Sequence, residues 1–244
     1  MSKYNYFFES AESNVTPLGK RMIHFQNKRF ISYIKRFVNP SLSETSLLEV
    51  GPGKGHFAVF CLQHNIQYMS IEESPVGVES LKKRNIPVIE GSAPPISGDT
   101  TYDVIFLNQV VEHMPHLDDV TNLMESIYDH LNPGGIVIIG CPDILTHKEH
   151  FYSDYTHTYP TSLVRLRRLL KDFSLEPVRE TYYTFFFQGY FLTRLVTICV
   201  QLLQKTGLMH VLFRKKSEKI ISSLLPSICI VGKKGTAESG AQEP

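Results

Sequence analysis

Residues 47–57 read LLEVGPGKGHF, an apolar run closed by one carboxylate and followed by glycine at every second position. Glycines at 51, 53 and 55 let the backbone turn sharply and approach a ligand closely, because no Cβ intervenes and positive φ carries no penalty. The next segment, HFAVFCLQH, has helical character and would aim its unsatisfied N–H groups back at the turn. The spacing G-x-G-x-G is one residue shorter than the dinucleotide fingerprint G-x-G-x-x-G, and Glu49 stands two positions before it. A carboxylate there would repel a pyrophosphate but could organise an ammonium group.

Around that turn, short apolar runs at 46–50, 67–71, 86–89, 103–107 and 135–140 alternate with segments long enough for helices, the βαβ rhythm of a parallel sheet. Upstream, PLGKRMIHFQNKRFISYIKRFV over 17–38 sets Met22, Phe25, Phe30, Ile34 and Phe37 at helical spacing and predicts an amphipathic helix ending before Pro40. Downstream, TSLVRLRRLLKDF predicts a basic-faced helix, SLEPVRETYYTFFF a strand, and SICIVGKK over 227–234 the last strand. The expected organisation is an N-terminal helical cap over 1–40, a core over 41–234 and a polar tail over 235–244.

Between those last two strands lies an apolar helical insertion, 188–226, with the basic stretch RKKSEK near its end. The run 185–203 has membrane-like length, but Gln188, Arg194 and Gln201 argue against a spanning helix. Helices packed on the core or at a homodimer contact are the first expectation. A cap over an apolar substrate and peripheral membrane contact stay open beside it.

The totals narrow the partners. With 244 residues the chain suits one large α/β domain, and 25 basic against 24 acidic residues give a net charge of +1. No global field is available for a phosphate backbone, so nucleic acid is disfavoured. Cys61, Cys141, Cys199 and Cys229 form no C-x-x-C pair, which suggests neither a disulfide framework nor a zinc site. A reducing cytoplasm fits this usage, and MSKYNYFFES lacks the pattern of a signal peptide.

The glycine turn resembles motif I of the class I S-adenosylmethionine-dependent methyltransferases, and the resemblance runs in order across 46–234. YMSIEES is similar to their second strand, VIEGSAPPI to the third-strand exit, YDVIFLNQVVEHMPH to the fourth strand and its loop, and LNPGGIVIIGCPD to the turn into the fifth. The resemblance implies a Rossmann-like, doubly wound, seven-stranded and mostly parallel sheet, with S-adenosyl-L-methionine as cofactor. It assigns donor binding to Glu49, Gly51, Pro52, Gly53 and Gly55. It adds Glu72 for both ribose hydroxyls, with Glu73 beside it as either a donor contact or a solvated neighbour, Ser92 and Ala93 beside the adenine, and Asn108 and Gln109 after the fourth strand. Ser92 stands where the family often has Asp. Asp103 is expected to be structural, and Pro133, Gly134 and Gly135 to form a turn.

Methyl transfer is an in-line displacement, so the chain must position the acceptor and, for a hydroxyl, remove its proton. Gln109, Glu112 and His113 stand at i, i+3 and i+4, one face of a helical turn. Several O-methyltransferases show E-x-x-E-H here and hold a divalent metal with it; this chain has Q-V-V-E-H. Gln109 removes one negative ligand, so a metal is not favoured. SDYTHTYPTSLVRLRRLL resembles the segment whose His reaches the active site, which makes His113, His157 and Glu112 the catalytic candidates. His147 and His150 rank below them. His24 or the aromatics near it could touch the donor.

The N-P-P-Y type signature of nucleic-acid amino methyltransferases is absent at Asn108. The resemblance and the apolar insertion together favour a small-molecule, glycan or lipid-like oxygen acceptor. The alternatives are a non-catalytic S-adenosylmethionine-binding or regulatory subunit and, behind it, an NAD-dependent oxidoreductase.

Overall fold

The computed structural model describes residues 16–184, 188–206 and 224–236. One sheet holds β1 (Ser46–Val50), β2 (Gln67–Glu72), β3 (Ile89–Glu90), β4 (Tyr102–Asn108), β5 (Leu131–Pro142), β6 (Leu175–Tyr183) and β7 (Ser227–Lys234). Their order is β3-β2-β1-β4-β5-β7-β6, with β1 to β5 parallel and β7 antiparallel to both neighbours. This is the expected seven-stranded, Rossmann-like sheet. Its strand order reverses between β1 and β4, and α/β sheets bind ligands at the carboxyl ends flanking such a switch.

The helices are α1 (Pro17–Phe37), α2 (His56–Gln63), α3 (Pro75–Lys83), α4 (Leu117–His130), α5 (Ile144–His147), α6 (Leu163–Asp172) and α7 (Tyr190–Lys205). Because successive strand side chains point to opposite faces, the sheet feeds two cores. Leu48, Ile105, Val137 and Ile139 pack with Leu123, Met124 and Ile127 of α4 and Leu166 and Leu170 of α6. Leu47, Phe106 and Ile138 pack on the other face with Phe30 and Ile34 of α1 and Phe57 and Cys61 of α2.

The N-terminal helix is part of that second core. Thr16 caps α1 by accepting the Gly19 N–H at 3.1 Å, and Pro17 starts it with its φ already set. Burying Phe30 or Ile34 contributes about 1.5–3 kcal/mol each, while Phe25, expected on the same face, stays exposed. His24 lies edge-on against Phe60 at 5.3 Å between centroids.

Two local expectations change. The third strand is not 86–89 but Ile89–Glu90. Pro87 has no N–H for a ladder, and its carbonyl instead accepts Ser70 Oγ at 2.8 Å, while Ile86 turns into the core. Pro133, Gly134 and Gly135 do not form a separate turn but belong to β5, where a register shift between Tyr102 and Val104 absorbs the extra residues. A Cβ at Gly135 would stand 2.9 Å from the Asn132 carbonyl, which is why this bulged entry takes glycine. Asp103 is structural as expected: it accepts Ser46 N, Ser46 Oγ and Asn132 Nδ2 at 2.8–2.9 Å. Of the expected insertion, residues 207–223 lie outside the described residues, as do 237–244 of the tail and 1–15 of the cap.

Candidate active site

The glycine turn joins β1 to α2 with φ of +66°, +52° and +62° at Gly51, Gly53 and Gly55. Gly51 N donates to Ile71 O at 3.0 Å and Gly55 N to Pro52 O at 2.9 Å, which closes the loop beside the end of β2. A Cβ on Gly55 would meet Leu81 Cδ2 and Ile86 Cδ1, both at 2.8 Å, so the end of α3 and the chain after it pack against this turn only because the side chain is missing. At Gly51 the nearest atom to such a Cβ is Val110 Cγ2, at 3.0 Å, from the loop after β4.

Two carboxylates flank the turn. Glu49 is buried under α2 and accepts the Tyr68 hydroxyl at 2.5 Å. Burial pushes its carboxyl up to about 8; the Tyr68 hydrogen bond opposes this and nearby Glu72 adds to it. Glu72 ends β2, accepting Ser74 N at 2.9 Å and a further bond from the Gly53 backbone. Burial raises its pKa and those backbone donors lower it. The carboxylate is thus fixed at the strand end, facing the turn. Glu73 and Ser92 are exposed, and Ala93 packs at the edge of the core.

After β4 the chain departs from the expected helical turn. Gln109 is left-handed, φ +61°, with its N–H on Gly140 O at 2.7 Å, and only Val111–His113 form a short 3-10 turn. Gln109, Glu112 and His113 therefore do not share one helical face. A non-glycine residue in this region is uncommon and clusters at functional sites. The rotation carries Glu112 fully inside, where neither carboxylate oxygen has a hydrogen-bond partner and burial pushes its pKa up to about 8.

His113 and His157 meet beside it, with ring centroids 4.8 Å apart. His157 Nδ1 lies 2.7 Å from Phe151 O, and a carbonyl can only accept, so that nitrogen carries the proton and Nε2 holds the lone pair of the neutral ring. His113 Nδ1 faces Thr156 O at 3.2 Å and Thr156 Oγ1 at 2.9 Å; the Thr156 hydroxyl donates to Asp154 Oδ1 at 2.6 Å. One ligand atom from each of Glu112, His113 and His157 lies within 4.8 Å of the others. His147, expected in a polar loop, is instead buried, with Nε2 3.2 Å from Pro226 O and a pKa that burial lowers to about 4.

Sequence reasoning missed a second feature. Tyr183 reaches from the end of β6 over Gly140 to Asn108, donating to its Oδ1 at 3.1 Å. Over the Tyr183 ring, at 5.1 Å, lies the guanidinium of Arg29, whose three side-chain nitrogens are buried without a hydrogen bond and whose pKa burial lowers. Asn27, two residues earlier, donates to His56 O at 3.1 Å, which ties this part of α1 to the start of α2. A buried, unpaired cation is costly, and it lies on the Asn108 side of the sheet.

The sequence model of a family described as a methyltransferase domain matches residues 22–186. No curated protein matches the sequence significantly. Among solved structures, a SAM-dependent methyltransferase from Archaeoglobus fulgidus is similar at 15% identity and a TM-score of 0.63, over 96% of this chain and 100% of that one. The N-methyltransferase NodS from Bradyrhizobium japonicum WM9, in complex with S-adenosyl-L-homocysteine, aligns at 12% identity and 0.61, over 96% and 99%. Magnesium protoporphyrin IX methyltransferase (ChlM) from Synechocystis PCC 6803, also with bound S-adenosyl-L-homocysteine, aligns at 12% and 0.60, over 95% and 97%.

Proposed function

The chain belongs to the methyltransferase-domain family, among the class I S-adenosylmethionine-dependent enzymes, and we propose that it methylates an oxygen of a small-molecule, glycan or lipid-like acceptor. When bound, S-adenosyl-L-methionine supplies an electrophilic methyl group on a sulfonium sulfur. The residues of the chain fit that donor. Glu72, already oriented by Ser74 and Gly53, takes the ribose hydroxyls. The positive-φ turn at Gly51, Gly53 and Gly55 brings backbone against the methionyl arm, with Glu49, which gives up its proton as the ammonium comes beside it, answering that charge and Arg29 the carboxylate. Glu73, Ser92 and Ala93 border the nucleoside, and Pro52, Asn108 and Gln109 complete the wall.

The observation that supports oxygen chemistry is the His113/His157 pair. With Nδ1–H held by Phe151 O, His157 presents Nε2 as a base. It accepts the acceptor's hydroxyl proton as that oxygen takes the methyl group, and His113 and Glu112 hold the acceptor's orientation. The similar structures include an N-methyltransferase, and fold does not choose the atom methylated; that choice rests on the histidines.

A second reading is favoured by the orphaned Glu112 carboxylate. Glu112, His113 and His157 would hold a divalent cation, with the carbonyls behind both Nδ1 atoms orienting the rings as outer ligands do. Such an ion would supply Lewis acidity to the acceptor oxygen.

Calorimetry with S-adenosyl-L-homocysteine and with NAD tests the donor site: binding of NAD alone would overturn the reading. A screen of glycolipid and phenolic extracts for a methyl mass increment identifies the acceptor. With that acceptor, His157→Ala should lower kcat by about 10²–10⁴-fold, and turnover unchanged in both His157→Ala and His113→Ala would remove them as bases.

A further inference from the structure

Two adjoining faces of α7 lie on the carboxyl edge of the sheet. One, carrying Thr193, Thr197 and Gln201, walls a cavity of about 380 Å3 opposite Asp143 and Tyr182. The other lies roughly 130° around the helix. It carries Phe191, Leu195, Ile198 and Leu202 at i, i+4, i+7 and i+11, exposed by 82%, 50%, 49% and 57%. Ile198 belongs to both faces, so the apolar stripe runs up to the cavity. On the other side of the cavity Leu145 is 66% exposed.

Charge narrows what can cover this stripe. Between Glu180 and Glu218 the sequence contains no Asp or Glu but has Arg194, Lys205, Arg214, Lys215 and Lys216. On the helix itself, Arg194 and Lys205 fall along the border between the stripe and the cavity face. Apolar side chains flanked by cations, on a helix that itself carries no acid, match the headgroup and acyl boundary of an anionic leaflet. The helix has 16 residues, and no helix among the described residues is long and apolar enough to cross a membrane.

A second copy of the chain fits less well. A stripe roughly 17 Å long and one helix diameter, about 10 Å, wide covers about 170 Å2, against the ~800 Å2 per partner of a stable interface. Two such faces would also meet cation to cation.

We infer that the Phe191/Leu195/Ile198/Leu202 face of α7 docks on an anionic membrane surface, setting the α7 cavity beside the lipid headgroups. Resting on the methyl-transfer reading, this makes the acceptor an amphiphile: part of its polar group lies against the cavity between Asp143 and Thr197 while its apolar part remains in the leaflet.

Flotation of the full chain with vesicles of equal parts phosphatidylcholine and phosphatidylglycerol tests the docking. The protein should float with them at low salt, bind pure phosphatidylcholine far less, and lose about tenfold of its partitioning in Phe191→Asp/Leu195→Asp. The single exposed change Phe191→Ser, expected to lose part of it, serves if the double variant does not fold. Binding of S-adenosyl-L-homocysteine, measured alongside, should be unchanged; its absence in the wild type would instead count against the donor reading. The docking is overturned if the wild type does not float at low salt, or if the substitutions leave flotation unchanged. It is equally overturned if light scattering shows a dimer that the substitutions dissociate.

Discussion

The Tyr68 hydroxyl donates to Glu49 Oε2 at 2.5 Å across two neighbouring strands, diagonal to the register pair Ser70 and Glu49. Because the folded chain holds the Glu49 proton up to about pH 8, an unfolded chain releases protons that the native state keeps. The sign follows directly. Stability is unaffected below the ordinary carboxylate range, falls as pH rises from there to about 8, and stays reduced above it. Glu49→Gln should remove this part of the slope, worth on the order of 5 kcal/mol at most. Glu112, raised to about the same value, contributes with the same sign, so the slope should shrink by roughly half rather than vanish. Urea unfolding at several pH values, for wild type and variant, measures it; parallel curves would show that Glu49 ionises normally.

Gly55→Ala should act chiefly through stability, because its new side chain meets the core and not only the turn. The left-handed backbone costs an L-residue about 1–2 kcal/mol, and the new methyl would meet Leu81 and Ile86 at 2.8 Å. A loss of about 2–4 kcal/mol is expected, read as a lower midpoint with an unchanged urea slope. Gly51→Ala meets one side-chain methyl at 3.0 Å, so its stability loss should be smaller and its loss of S-adenosyl-L-homocysteine affinity larger.

The turn, the strand-end place of Glu72 and the alternation of strands with helices were legible because they rest on short-range signals: glycine spacing, apolar runs and a carboxylate at a strand end. What escaped depends on residues far apart in sequence or on one unusual dihedral. Nothing near Arg29 announces that Tyr183 will lie under its guanidinium. His147 reads as polar-loop until the Pro226 carbonyl arrives beside it. The i, i+3, i+4 spacing of Gln109, Glu112 and His113 suggested a helical face, but the left-handed Gln109 breaks that period and sends Glu112 inward. Pro87 could have warned that the third strand begins late, since it offers no ladder donor.

Glu72→Ala should cost about 100-fold in S-adenosyl-L-homocysteine affinity, the loss of two charge-assisted hydrogen bonds of about 1.5 kcal/mol each. The same carboxylate anchors Ser74 N, so a fall in stability of about 1 kcal/mol should accompany it. Calorimetry on the folded variant separates the two effects. An affinity within threefold of wild type, about 0.6 kcal/mol, would remove Glu72 as the ribose ligand.

Arg29→Met sets stability against binding. The guanidinium is buried among Tyr183 and Phe25 with no hydrogen bond and no ion pair among the described residues, and replacing such a charge by an apolar chain of similar length is often neutral or stabilising. The ligand-free variant should therefore melt at the same or a higher temperature than wild type. If Arg29 answers the donor's carboxylate, S-adenosyl-L-methionine should bind the variant about tenfold or more weakly, as expected for a charge-assisted bond. Decarboxylated S-adenosylmethionine should bind both proteins alike. Equal losses for the two ligands would place the effect in packing at α1, and no loss for either would leave Arg29 a structural residue.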